Sequence, residues 1–90
     1  MGKYEDWDLI KDHVKSMSTD GYFRILYVYV SGEYGYYEIR IELEKLTGWE
    51  GYYDDYIYRE QLDRLKRRIE DDVIYDLDFH RPRIEFYLKN

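Results

Sequence analysis

A chain of 90 residues and 11.3 kDa holds one domain, residues 1–90, and its 44% hydrophobic and 20% aromatic content excludes a disordered tail despite 38% charge. The absence of cysteine excludes a disulfide framework and a thiolate metal site, and no apolar run reaches the ~18 residues of a membrane span. Twenty acidic against fourteen basic residues, a net charge of −6, disfavour non-specific attraction to nucleic acid or anionic lipid and favour a basic partner.

In chain order, Asp6 to Met17 places Trp7, Ile10, Val14 and Met17 on one helical face, with Glu5, Asp6 and Asp8 in the first turn and Lys15 in the last. Ser16 to Gly21 is a stop and a turn. Tyr22 to Val30 and Tyr34 to Leu43 are strands, the second alternating Tyr37, Ile39, Ile41 and Leu43 against Tyr36, Glu38, Arg40 and Glu42. A tight turn at Gly32-Glu33 predicts Val28 opposite Tyr37 and Leu26 opposite Ile39 on the core face. The reverse face then holds Phe23, Ile25, Tyr27, Tyr29 and Tyr36.

Thr47 to Tyr53 is a glycine-marked loop, after which Asp54 or Asp55 caps a second helix with the stripe Tyr58, Leu62, Leu65 and Ile69. Val73, Tyr75, Leu77 and Phe79 alternate with acidic residues, and Ile84, Phe86 and Leu88 follow Arg81-Pro82, predicting a second hairpin. The expected fold is α+β, a two-layer sandwich of order α-β-β-α-β-β. Its antiparallel sheet of two hairpins carries two helices on one face.

Catalysis has no sequence support. His13 lies mid-helix and His80 beside a turn, neither in a nucleophile–base motif, so the chain is read as a non-enzyme without cofactors. Asp71, Asp72, Asp76 and Asp78 offer hard oxygen ligands but lack the spacing and the turn glycine of a calcium loop, so no metal is expected. The second helix gathers Arg59, Arg64, Lys66, Arg67 and Arg68, yet acidic residues outnumber them along it. That segment, 59–68, is the alternative route to nucleic acid.

Functional content concentrates where aromatic and acidic residues interleave at positions expected to be exposed. The predicted partner-binding residues are Tyr29, Tyr36 and Glu38 on the first hairpin, and Trp49, Glu50, Tyr52, Tyr53, Asp54 and Asp55 in and after the loop. Asp76, Asp78 and Glu85 join them on the last hairpin. Carboxylates two residues apart on a strand sit roughly 6.6 Å apart on one face, and tyrosines between them stack on guanidinium groups.

In size and composition this acidic, cysteine-free, tyrosine-rich chain resembles the phage-encoded inhibitors of bacterial defence, among them anti-CRISPR proteins and anti-restriction DNA mimics. The resemblance implies a viral protein acting in the host cytoplasm. It also implies a partner that is a basic, nucleic-acid-handling host protein, a nuclease or CRISPR effector whose nucleic-acid surface the chain occupies. The acidic balance predicts no direct nucleic-acid binding, and the short apolar runs predict no membrane span. The competing expectation is a self-associating structural or regulatory domain, a homodimer through the tyrosine-rich sheet face.

Overall fold

The computed structural model describes the backbone of residues 3–33, 35–46 and 55–89, and the side chains of 7–33, 35–46 and 56–89. Helix α1 (Lys3–Lys15) leads into strands β1 (Phe23–Glu33) and β2 (Tyr36–Lys45). Helix α2 (Asp55–Asp71) follows, runs into a π-helical turn at Asp72–Asp76, and strand β3 (Arg83–Lys89) closes the described fold. The architecture is α+β with a three-stranded mixed sheet in the order β1-β2-β3.

The two long strands pair antiparallel, as the alternation along β2 demands. Their register runs from Phe23 opposite Lys45 to Glu33 opposite Tyr36. The turn therefore falls two residues beyond Gly32-Glu33, and the expected pairs give way to Val28 opposite Ile41 and Val30 opposite Ile39. An even displacement keeps each side chain on its face, so Val28 and Val30 still face the core. Gly32 sits inside the ladder rather than at the turn. Its φ is +121°, and a Cβ there would lie 2.7 Å from the Tyr36 carbonyl oxygen and the Tyr37 Cα.

Between Ile25 and Tyr27 the register slips, leaving Leu26 as a bulge without a cross-strand partner. One extra residue inverts the alternation below it. Phe23 is therefore 3% exposed, and Ile25 packs against the core instead of lying on the reverse face. Leu26, expected in the core, is only half-buried for the same reason.

The second hairpin does not form. The segment Asp72–Asp76 continues α2 as a π-turn, because Val73 extends the apolar stripe of Leu65 and Ile69 by one more turn and is fully buried. Tyr75, which a strand would have buried, is 78% exposed, and Leu77 is half-buried. Asp78 takes φ +61°, a left-handed position that Asp tolerates, and this ends the helical run before Phe79 enters the core. Strand β3 then pairs parallel to β2, Ile39 opposite Ile84 and Ile41 opposite Phe86. Parallel neighbours need a crossover, and α2 is that crossover.

The core lies between one sheet face and the two helices. Trp7, Ile10 and Val14 of α1 and Tyr58, Leu65 and Ile69 of α2 meet Tyr37, Ile39, Ile41 and Leu43 of the central strand. Ile10, Ile39, Ile41, Leu43 and Ile69 are wholly buried, each contributing about 1.5–3 kcal/mol by leaving water. Trp7 stacks on Tyr37 with ring centroids 4.9 Å apart, and the Tyr37 hydroxyl donates to the His80 carbonyl at 2.6 Å. Leu62 and Phe86, expected at full burial, are half-buried against this cluster.

Candidate protein-binding surface

Because the helices cover one face of the sheet, alternation along β2, β3 and each side of the Leu26 bulge in β1 delivers every other side chain to the opposite, open face. The registers place four rows across it: Ser31, Glu38 and Arg83; Tyr29, Arg40 and Glu85; Tyr27, Glu42 and Tyr87; Arg24, Glu44 and Lys89. Tyr27 and Tyr29 stack along the β1 edge at 6.0 Å between centroids. Tyr36, at the start of β2 and in phase with Glu38, is 87% exposed.

Electrostatically the face is mixed rather than acidic. Arg40 donates through Nε to Glu38 Oε1 at 2.8 Å, and its Nη2 lies 2.8 Å from the same oxygen. Arg83 lies 3.4 Å from Glu85, and Arg24 pairs with Glu44 at 3.2 Å across the first two strands. The Tyr87 hydroxyl donates to the second Glu85 oxygen at 2.8 Å. Glu38's charge and hydrogen bond hold the Arg40 pKa above its ordinary value. Tyr87 is raised first by its bond to Glu85, and Tyr29 first by partial desolvation and then by the charge of Glu42. Both phenols stay neutral donors at physiological pH. A recess of about 730 Å³ is lined by residues that include Tyr29, Arg40, Glu42, Tyr87 and Lys89.

Of the predicted binding residues, Tyr29, Tyr36, Glu38 and Glu85 come together on this face. Asp76 and Asp78 do not. The missing hairpin leaves them at the end of the π-turn, away from the open face they were expected to share with Glu85. Trp49, Glu50, Tyr52, Tyr53 and Asp54 lie outside the described residues, and Asp55 begins α2 with its side chain likewise outside them. Sequence reasoning missed the role of Arg40 and Arg83, which neutralise neighbouring glutamates. The signal was present as a basic residue two places from each carboxylate on the same strand face.

The charge itself is unevenly spread. Among the described side chains fifteen are acidic and thirteen basic, so most of the net −6 resides on residues whose side chains are not described. The basic residues of α2 are all exposed. Arg64 lies 3.3 Å from Glu60, and Arg68 donates to the Ser18 carbonyl at 3.0 Å. No helix among the described residues is long and apolar enough to cross a membrane. Comparison with family models, curated proteins and solved structures finds no match, so the functional reading rests on this geometry.

Proposed function

We propose that the chain is a protein-binding inhibitor that lays its open sheet face on a basic, nucleic-acid-binding surface of a host nuclease or CRISPR effector. One observation carries the reading: Tyr27, Tyr29, Tyr36 and Tyr87, between 46% and 87% exposed, stand on one three-stranded face that the described residues leave uncovered. Exposed aromatic patches mark interaction sites, and tyrosine combines contact area, few rotors and a polar tip. The net charge of −6 supports a basic partner. Incoming guanidinium groups exchange with Arg40 and Arg83 at Glu38 and Glu85, a swap of similar ion pairs that adds little net affinity. The tyrosines therefore supply the affinity, and the overall charge speeds encounter.

The test is competition. The protein is titrated into a partner recovered from host lysate and already carrying labelled nucleic acid. Displacement that Tyr29→Ala and Tyr87→Ala weaken supports the reading. A partner that binds tightly yet keeps its nucleic acid with unchanged affinity overturns it.

A second reading is favoured by the outer edge of β1, which has no strand partner among the described residues and carries no charged side chain from Ile25 to Ser31. Such an edge pairs readily with another strand, here a second copy. Sedimentation equilibrium separates the two readings, since a dimer through β1 doubles the mass without any partner.

A further inference from the structure

We propose that His13, Asp72 and Asp76 form a binding site for a divalent first-row transition cation of the zinc type. The fold assembles the three from distant places. His13 lies in the last turn of α1, whereas Asp72 and Asp76 span the π-turn that ends α2. The His13 Nε2 atom is 2.9 Å from Asp72 Oδ2 across 59 positions of sequence, and both side chains are about one-third exposed. One ligand atom from each of the three residues lies within 4.8 Å of the other two.

The spacing matches a coordination shell. Two donors on a tetrahedral ion, each at ~2.1 Å, sit ~3.4 Å apart, so His13 and Asp72, hydrogen-bonded at 2.9 Å, need to part by only about 0.5 Å for an ion to replace the shared proton. Asp76 is exposed, so its carboxylate is free to rotate the remaining distance. A separation of four along one helical turn is the arrangement by which helical ligands converge on a single ion. The π-turn that presents both carboxylates is a rare backbone form that recurs at functional sites.

Charge points the same way. Glu70 has Arg81 at 2.7 Å, but among the described residues no lysine or arginine pairs with Asp71, Asp76 or Asp78. An imidazole from a separate helix makes this more than a group of acids. Mixed nitrogen and oxygen donors suit zinc and its neighbours, whereas calcium takes oxygen ligands alone. Three protein ligands leave the remaining positions to water. Bound there, the ion ties the end of α1 to the end of α2 and stabilises the folded chain by mass action.

The experiment is calorimetric titration of zinc chloride into the full chain near neutral pH, alongside melting with and without chelator. The expected result is one saturable equivalent, a melting temperature that chelator lowers, and a shifted His13 Nε2 resonance. Asp76→Asn should weaken binding at least about tenfold, the scale on which lost ligand support is felt. Asp78→Asn, beside the site but not in it, should change it by less than about threefold, within the range expected of a nearby surface charge. Because Asp76 and Asp78 are both exposed, these variants keep the fold and the comparison stands even if His13→Ala does not. Absence of saturable binding at millimolar zinc overturns the proposal. So does equal weakening by Asp76→Asn and Asp78→Asn, or calcium binding as tightly as zinc with the His13 resonance unmoved.

Discussion

Replacing Phe23 by alanine tests the bulge that decides which way the start of β1 faces. Uninterrupted alternation puts Phe23 on the open face, where truncation costs little. The observed register buries it to 3% exposure and tilts its ring against Tyr58 at 5.7 Å between centroids. A buried Phe→Ala change costs about 3–5 kcal/mol through lost transfer energy and the cavity left behind. A domain of this length has a total stability on the order of 5–13 kcal/mol, so the loss is a large fraction of it. Urea unfolding followed by circular dichroism should show a lower midpoint with an unchanged slope. At roughly 4–8 °C per kcal/mol, melting should fall by at least about 12 °C. Tyr27→Ala, on the open face, is the control and should cost under about 1 kcal/mol. A Phe23→Ala loss below about 1 kcal/mol, or a larger loss at Tyr27 than at Phe23, would refute the bulge and the face assignment together.

Gly32→Ala should destabilise by about 1–3 kcal/mol, since φ +121° is strained for alanine and its Cβ meets the β2 backbone; Gly35→Ala, where a Cβ meets nothing within 4 Å, should be near neutral in the same denaturation assay. Tyr29 and Tyr87 both have folded-state pKa values raised above 10.0. The unfolded chain therefore loses these protons first as pH rises, so stability should hold up to about pH 10 and decline above it. Phenolate absorbance should report the late titration, and Tyr87→Phe should flatten the decline; an unchanged decline in both Tyr29→Phe and Tyr87→Phe refutes the assignment. Fluorescence anisotropy with duplex DNA or RNA at physiological salt should show no binding, and micromolar, steeply salt-dependent binding would instead promote Arg59, Arg64, Lys66, Arg67 and Arg68 to the functional surface.

Much of the core was legible because burial follows period. Trp7, Ile10 and Val14 on α1, Leu65 and Ile69 on α2, and Tyr37, Ile39, Ile41 and Leu43 on β2 announce their faces by spacing alone, and all nine are buried. Two kinds of feature were not. A bulge is one unmarked residue, Leu26, in a run of β-formers, and no local signal separates it from its neighbours. The run from Val73 to Phe79 fits a strand by alternation and a helix by continuity with Ile69, and short apolar runs do not decide between the two. Continuity wins, because it buries Val73 on the existing stripe. That choice moves Asp76 and Asp78 off the sheet and makes β3 parallel. It also sets Asp72 beside His13, a pairing between residues 59 positions apart that no spacing rule contains.

The parallel docking of β3 also changes what kind of surface the open face is. Had β3 paired with a preceding strand, Glu85 would have joined Asp76 and Asp78 in a carboxylate row resembling a phosphate backbone. Beside β2 it lies instead across from Arg40 and within reach of Arg83, and Glu38 is held by Arg40. A mimic of nucleic acid needs unneutralised carboxylates at regular intervals, and this face pairs Glu38, Glu44 and Glu85 with arginines among its tyrosines. Most of the net charge lies on side chains other than those described. In the proposed complex, attraction and adhesion would then fall to different parts of the chain, long-range charge to the first and Tyr27, Tyr29, Tyr36 and Tyr87 to the second. Salt screens the first over about 10 Å and scarcely touches the second. In the proposed complex, ionic strength therefore governs how fast the chain finds its partner, and the tyrosine face governs how long it stays.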